Sequence, residues 1–318
     1  MLTVGQEGSS LIEVDCSNAI SAVTFGANGQ YLVSGDDKGL QVWRVEDGKQ
    51  MATMEALKVR CVAVSNDGGW IAAGTSKEVV VWDAKTYEKA FVLEEDTIMN
   101  GVDFSPNSTR LLIASRDYRA TIWDIALATR KRVLTLHHEG AVIAAKFSPQ
   151  GDRIATATRN SVRVYDSNDG RLLVHIKVKV TPWYNTSLLW SRQQLFVVSD
   201  NKIKQINTST GLIVSQWPVP EGNEFRPIAL PLHGEFIAHS TSSIVTFWDT
   251  STQTQLGFIA HAQGILSIAL SPNDRFIAIG GKDGKITVKC LSRIIVSIMT
   301  LLHDGVSQQP SLFDHIST

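Results

Sequence analysis

Most features that would announce a chemistry are missing from this 318-residue chain. It has three cysteines, Cys16, Cys61 and Cys290, an odd number and widely separated. They make no disulfide framework and no zinc spacing, so a reducing compartment is expected. Thirty basic side chains face thirty-one acidic ones, for a formal net charge of −1. Without a basic excess, bulk nucleic-acid binding has no electrostatic footing. No signal peptide is visible, and the apolar stretch Ile294 to Leu302 is too short to span a bilayer. The expected location is intracellular, in the cytoplasm, with the nucleus as the alternative and no membrane partner.

Catalytic signatures are equally scarce. No Gly-x-Ser-x-Gly elbow, phosphate loop or Rossmann glycine pattern occurs. None of the eight histidines forms a metal-type pair with a Glu between. The adjacent His137 and His138 read as a loop pair with one structural His, against a rarer metal role. Gly68-Gly69 and Gly280-Gly281 read as turn or bulge glycines. Carboxylates are scattered over turns, with no pair that could flank a glycosidic bond. No cofactor is implied, and the chain is read as non-enzymatic.

What the chain has is repetition. Trp82-Asp83, Trp123-Asp124 and Trp248-Asp249 recur, with a weaker copy at Tyr165-Asp166 and a further aromatic at Trp43. Their positions fall near multiples of about 40 residues, the length of one four-stranded blade. Upstream of each lies an apolar strand followed by a polar turn, as in Val102-Asp-Phe-Ser-Pro-Asn-Ser108 and Ala145-Lys-Phe-Ser-Pro-Gln-Gly151. One copy, around Leu188 to Gln194, is degenerate, and Ile206 stands where its Trp should be. Strands such as Tyr31-Leu-Val-Ser-Gly and Leu40-Gln-Val-Trp alternate with tight turns, and almost nothing sustains a helical period. A β-sandwich is the competing all-β reading, but it predicts no repeat of fixed length.

These motifs, recurring in phase, resemble the WD-repeat β-propeller family over almost the whole chain. The resemblance implies an all-β fold: a seven-bladed propeller of four-stranded antiparallel blades over residues 1–302. The copies run approximately 15–54, 55–95, 96–136, 137–178, 179–219, 220–260 and 261–302, with a polar tail at 303–318. Residues 11–14 are an extra or ring-closing strand, and Arg293 to Met299 is a rival for the same place. The fifth copy is expected to be the least regular. The family's internal hydrogen-bond tetrad is only partly kept. Asp37 and Trp43 match in the first copy, and Asp117 and Trp123 in the third, both without the His. His138 matches in the fourth, with Tyr165 as its aromatic, and His261 and Asp283 match in the seventh, where Lys289 replaces the Trp.

Binding is the use that remains. The resemblance implies a peptide grip on the narrow face, around the channel mouth. Carried over copy by copy, the mouth holds the cations Arg60, Arg116, Arg226 and Lys282 against one acid, Asp36. Trp183 and Tyr184 are a candidate aromatic anchor, or packing for the degenerate blade. A basic mouth on a near-neutral protein favours an acidic or phosphorylated segment of another protein. The Trp-Asp-x-Arg pattern of propellers that serve cullin-type ubiquitin ligases is absent from all three pairs. The expected function is a non-catalytic protein-interaction scaffold. The alternatives are a sensor or autoinhibitory propeller of a larger NTPase-type switch, such as the fungal NACHT proteins, and an enzyme with its site in the channel.

Overall fold

The computed structural model describes residues 11–291, apart from 96, 127, 181–187, 221–226, 232–233 and 262–263. Its elements are twenty-eight strands, grouped into seven four-stranded antiparallel sheets. The first strands of successive sheets touch one another around the ring, so each sheet runs outward from a central axis as a blade. Blade one consists of Ala22–Phe25, Tyr31–Gly35, Gly39–Arg44 and Gln50–Glu55, in that order from axis to rim. Blades two to six repeat this order.

The seventh blade is different. Its first three strands are Ile265–Leu270, Phe276–Gly281 and Lys285–Cys290, and its outer strand is Ile12–Asp15 from the other end of the chain. The pairing runs Ile12↔Val288, Glu13↔Thr287, Val14↔Ile286 and Asp15↔Lys285. Arg293 to Met299 lies outside the described residues. The sequence after Lys285–Cys290 departs from the hairpin turns of the other blades. In blades two and three to six, the turn after the third strand begins at Asp83, Asp124, Asp166, Asn207 or Asp249, whose side chain caps following backbone N–H groups. Four residues after that start, or after Arg44 in blade one, most of these turns place a left-handed residue: Gly48, Tyr87, Gly170, Gly211 and Gln253. In the seventh copy the same positions are Cys290 and Ile294. A thiol is a poor cap, and a β-branched residue is strongly disfavoured in the left-handed region.

The apolar core lies between blades, one cluster to each seam. Val33, Leu40 and Val42 of blade one meet Val62, Ile71, Val80 and Trp82 of blade two. At the closing seam, Ile12, Ile286 and Val288 of blade seven meet Phe25, Leu32 and Trp43 of blade one. The repeat aromatics occupy third strands: Trp43, Trp82, Trp123, Tyr165 and Trp248. Each packs into the seam with the preceding blade. A one-residue register shift falls immediately before every one of them in the pairing with the outer strand. Such a bulge kinks the strand and re-aims the side chain.

Among the described residues the fifth blade is not the least regular. Its strands Leu188–Ser191, Gln194–Ser199, Lys202–Asn207 and Ile213–Pro218 pair throughout, and fully buried Ile206 fills the Trp position. Asp200 and Asn201, both left-handed at φ 50° and 58°, supply the tight turn that the missing Asp–Trp pair left in doubt. The shortest strand, Ile228–Ala229, belongs to blade six. Pro227 and Pro231 flank it and cannot donate to a ladder.

Trp82 is 2% exposed and central to its seam. Trp82→Ala should lower the unfolding free energy by about 3–5 kcal/mol. Urea titration followed by circular dichroism checks this; an unchanged midpoint would refute the seam assignment.

Candidate binding face

In each blade the start of the first strand pairs with the end of the second, as in Ala22↔Gly35, Cys61↔Gly74 and Met99↔Ser115. Loops entering a blade and turns between its second and third strands therefore open on one face. Arg60 enters blade two on this face, and Arg116 and Lys282 lie in the corresponding turns of blades three and seven. Arg116 and Lys282 are exposed, and Arg60 is half-buried. Arg226, Trp183 and Tyr184 lie outside the described residues.

Asp36 is not a mouth residue. It is 2% exposed, and its carboxylate accepts from Lys38 N at 2.7 Å, Gly39 N at 3.0 Å and Asn18 Nδ2 at 3.2 Å. Thr75, Thr158 and Thr241 are buried at the same turn position, and Thr75 Oγ1 accepts from Lys77 N and Glu78 N. The reason is the turn itself. These are tight two-residue turns whose first residue caps the backbone, so the acid of blade one shifts from Asp37, which is exposed, to Asp36.

Buried polar nodes tie this face to the seams, each solved differently. In blade one, Trp43 Nε1 donates to Ser34 Oγ at 2.8 Å, and Gln41 links that hydroxyl to Asp36. In blade three, buried Glu95 accepts from Trp123 Nε1 at 2.8 Å and Thr121 Oγ1 at 2.9 Å. Arg132 pairs with the same carboxylate at 3.1 Å and lies over the Trp123 ring. Asp117 accepts from Ser115 Oγ and pairs with Arg119, which together hold its carboxyl low against desolvation. In blade four, His138 Nδ1 donates to Leu136 O at 3.1 Å, which leaves Nε2 to accept from Thr156 Oγ1 at 2.8 Å and Tyr165 OH at 3.3 Å. In blade seven, His261 and Asp283 both crowd Gly281, where a Cβ would overlap the ring and the carboxylate.

The Trp-Asp pairs split their labour. The aromatic fills the seam, and Asp83, Asp124, Asp166 and Asp249 cap turns at the opposite end of the blade. Turn N–H groups hold the Asp83 and Asp166 carboxyls low, and bonds from Ser251 and Thr252 do so for Asp249 despite partial burial.

Glu95 and Asn18 escaped the reading of the sequence. Glu95 had a signal: it stands nine residues before Phe104, as His138 stands before Phe147 and His261 before Leu270. Asn18 has no such spacing.

A cleft of about 740 Å³ on the face opens along the seam of blades three and four. Arg116 and Tyr118 come from the turn of blade three and Arg159 from that of blade four. Arg163 projects from the third strand of blade four, and His175 and Lys177 from its outer strand. Among the described lining residues the one acid is Glu139, and its bond from Arg163 Nη2 is 3.3 Å long with the carboxylate 92% exposed, so the pair holds weakly. Tyr118 is 53% exposed with φ 71°. On the floor, Asn100 Nδ2 donates to Val142 O at 2.8 Å and ties the two blades together. The seam thus gathers Arg116 with three cations that the repeat alignment had not brought together, and leaves Arg60 and Lys282 elsewhere on the face.

Nucleophile chemistry finds little support. Burial, then Asp36 and Asp15, push the Cys16 thiol up to about 11, and burial pushes Cys61 up to about 12. Both stay protonated near neutrality. Among the described residues, no group of three His, Cys, Asp or Glu side chains could hold a metal ion.

The family model described as "WD domain, G-beta repeat" matches residues 8–44, 48–83, 89–124, 130–166 and 250–288, more than half of the chain. The chain belongs to the WD-repeat family. Its propellers are generally protein-interaction scaffolds and typically non-catalytic. "Periodic tryptophan protein 2" of Arabidopsis thaliana is 28% identical over 169 residues, 51% of this chain and 19% of that protein. "Transcriptional corepressor LEUNIG_HOMOLOG" of the same plant is 24% identical over 296 residues, 88% of this chain and 36% of that one. "Eukaryotic translation initiation factor 3 subunit I" of Sclerotinia sclerotiorum is 21% identical over 304 residues, 85% and 90% of the two chains. The WD-repeat chain spans from 19% to 42% of the length of the first relatives it matches.

Two stability tests follow from the nodes. Glu95→Ala strands Trp123 Nε1, Thr121 and Arg132, and should cost about 3–5 kcal/mol in urea unfolding. For His138, burial first and the Arg163 charge second push the imidazole down to about 4. Its neutral form therefore stabilises the fold fully above pH about 6.5, and that contribution is lost as pH falls through about 4. The margin by which the parent exceeds His138→Gln should shrink over this window, by up to about 3 kcal/mol. A constant margin from pH 7 to 4 would contradict the assignment.

Proposed function

We propose that this propeller is a non-catalytic protein-interaction platform whose blade-entering face takes an acidic or phosphorylated segment of a partner protein. The observation that carries this reading is the cleft between blades three and four. Among its described lining residues it collects Arg116, Arg159, Arg163 and Lys177 against the one acid Glu139, on a chain whose net charge is only −1. Positive potential is thus local, which favours a specific anionic segment over general attraction to polyanions. Guanidinium groups suit carboxylate and phosphate oxygens because two parallel N–H donors match two acceptors. The walls are strands and tight turns, so little ordering entropy is lost on binding.

The charge reading is open to a direct check. Isothermal titration with a phosphoserine-rich peptide should show Arg159→Glu weakening binding by about 1–3 kcal/mol. Melting should stay unchanged, because Arg159 is exposed. Added salt should weaken the parent complex more than the variant complex. Equal affinities for parent and variant would dispose of the cleft as the site.

A further inference from the structure

We propose, resting on the reading just given, that the cleft holds an extended segment laid radially from channel mouth to rim, with two anionic side chains two residues apart. The radial order of the walls carries this. Nearest the axis are Asn100 and Ile143 on first strands, which bear no charge. Further out, Arg116 and Arg159 face the seam from the turns between second and third strands. Beyond them come Arg163 on the third strand and Lys177 on the outer strand. The alternation Arg163↔His175 puts residues 163, 175 and 177 on the one blade face that lines the seam.

Neighbouring strands stand about 4.8 Å apart, so the turn pair and the rimward pair are separated by about 5–7 Å. An extended chain brings side chains back to the same side every two residues, at about 6.6–7 Å. One anion therefore sits between Arg116 and Arg159, and the next of the same side between Arg163 and Lys177. The residue between them points away from the cleft floor, and the neutral inner wall places the uncharged part of the segment at the mouth.

Glu139 already shows the rimward position in use. Its carboxylate meets Arg163 Nη2 at 3.3 Å while remaining almost wholly in solvent, so a segment can displace it. Removing that internal competitor should favour the ligand.

The probes are fluorescein-labelled alanine heptapeptides bearing two phosphoserines with none, one or two residues between them, at equal charge. A Glu-x-Glu peptide is run beside them, and fluorescence anisotropy reads binding to the full chain. The peptide with one intervening residue should bind about ten-fold tighter than the other two. Glu139→Gln should tighten it further by about two-fold or more. Arg163→Gln should erase the spacing preference, with thermal melting run alongside to confirm the fold. The same preference with Glu-x-Glu supports the geometry and makes carboxylates sufficient. Equal affinity at all three spacings, with Arg159→Glu still weakening every peptide, overturns the alternation and leaves the acidic reading standing. Indifference of every peptide to Arg159→Glu overturns both.

Discussion

Four residues, Ile12–Asp15, complete the seventh sheet, and the ring depends on them. A single blade has two apolar faces and cannot bury either alone. Each seam cluster draws on two blades, including the closing one, where Ile12 meets residues on both sides of the junction. The closure joins positions 270 or more residues apart along the chain. Its entropic cost is offset by the seam that it completes, since without Ile12 and Val14 the outer part of the seventh blade would present Ile286 and Val288 to water. The same constraint bears on the proposed binding cleft. Only a closed ring holds the turns of blades three and four at a constant distance across their seam.

The buried nodes show how individual blades satisfy their third-strand aromatics. In blades one, three and four a polar group meets the N–H or O–H of the third-strand aromatic and bridges it to the loop or turn above. Among the described residues, Trp248 Nε1 of blade six is buried with no such partner. Blade one uses an amide, an acid and a hydroxyl; blade three uses Glu95 with Arg132; blade four uses a neutral His138. These solutions differ in charge but share the accounting rule that a buried donor needs an acceptor. They differ in pH response too. The His138 node weakens below pH about 6.5, whereas the blade-one node contains no imidazole to protonate.

Much of the fold was legible in the sequence because its signals are local. Alternation, tight turns and an aromatic once per blade lie within one stretch of about 40 residues. Details of turns were less legible. Whether Asp36 or Asp37 is buried depends on a turn one residue tighter than the one in blade three, and both spellings look alike in sequence. The site was only partly legible for a different reason. Arg116 follows from its place in the repeat, but Arg159, Arg163 and Lys177 join it only because two successive blades face each other. Residues 43 to 61 positions apart meet there, and reading them required strand faces, not motif positions. The short first strand of blade six was visible in Pro227 and Pro231, signals outweighed by the intact Trp248-Asp249 that follows.

The cleft lies on a seam, so a ligand bound there would be coupled to the fold. Asn100 of blade three already donates across it to Val142 O of blade four. A segment held by Arg116 on one side and Arg159 and Arg163 on the other would add a second tie between the same blades. Anything that binds the native ring but not the unfolded chain stabilises it by mass action. Here that stabilisation would act at the seam opposite the closure, where opening one blade from its neighbour must break the bound segment's contacts first. An interaction platform built this way would become more rigid as it is loaded. Its affinity would then depend on the intact ring as much as on the four cations proposed to face the ligand.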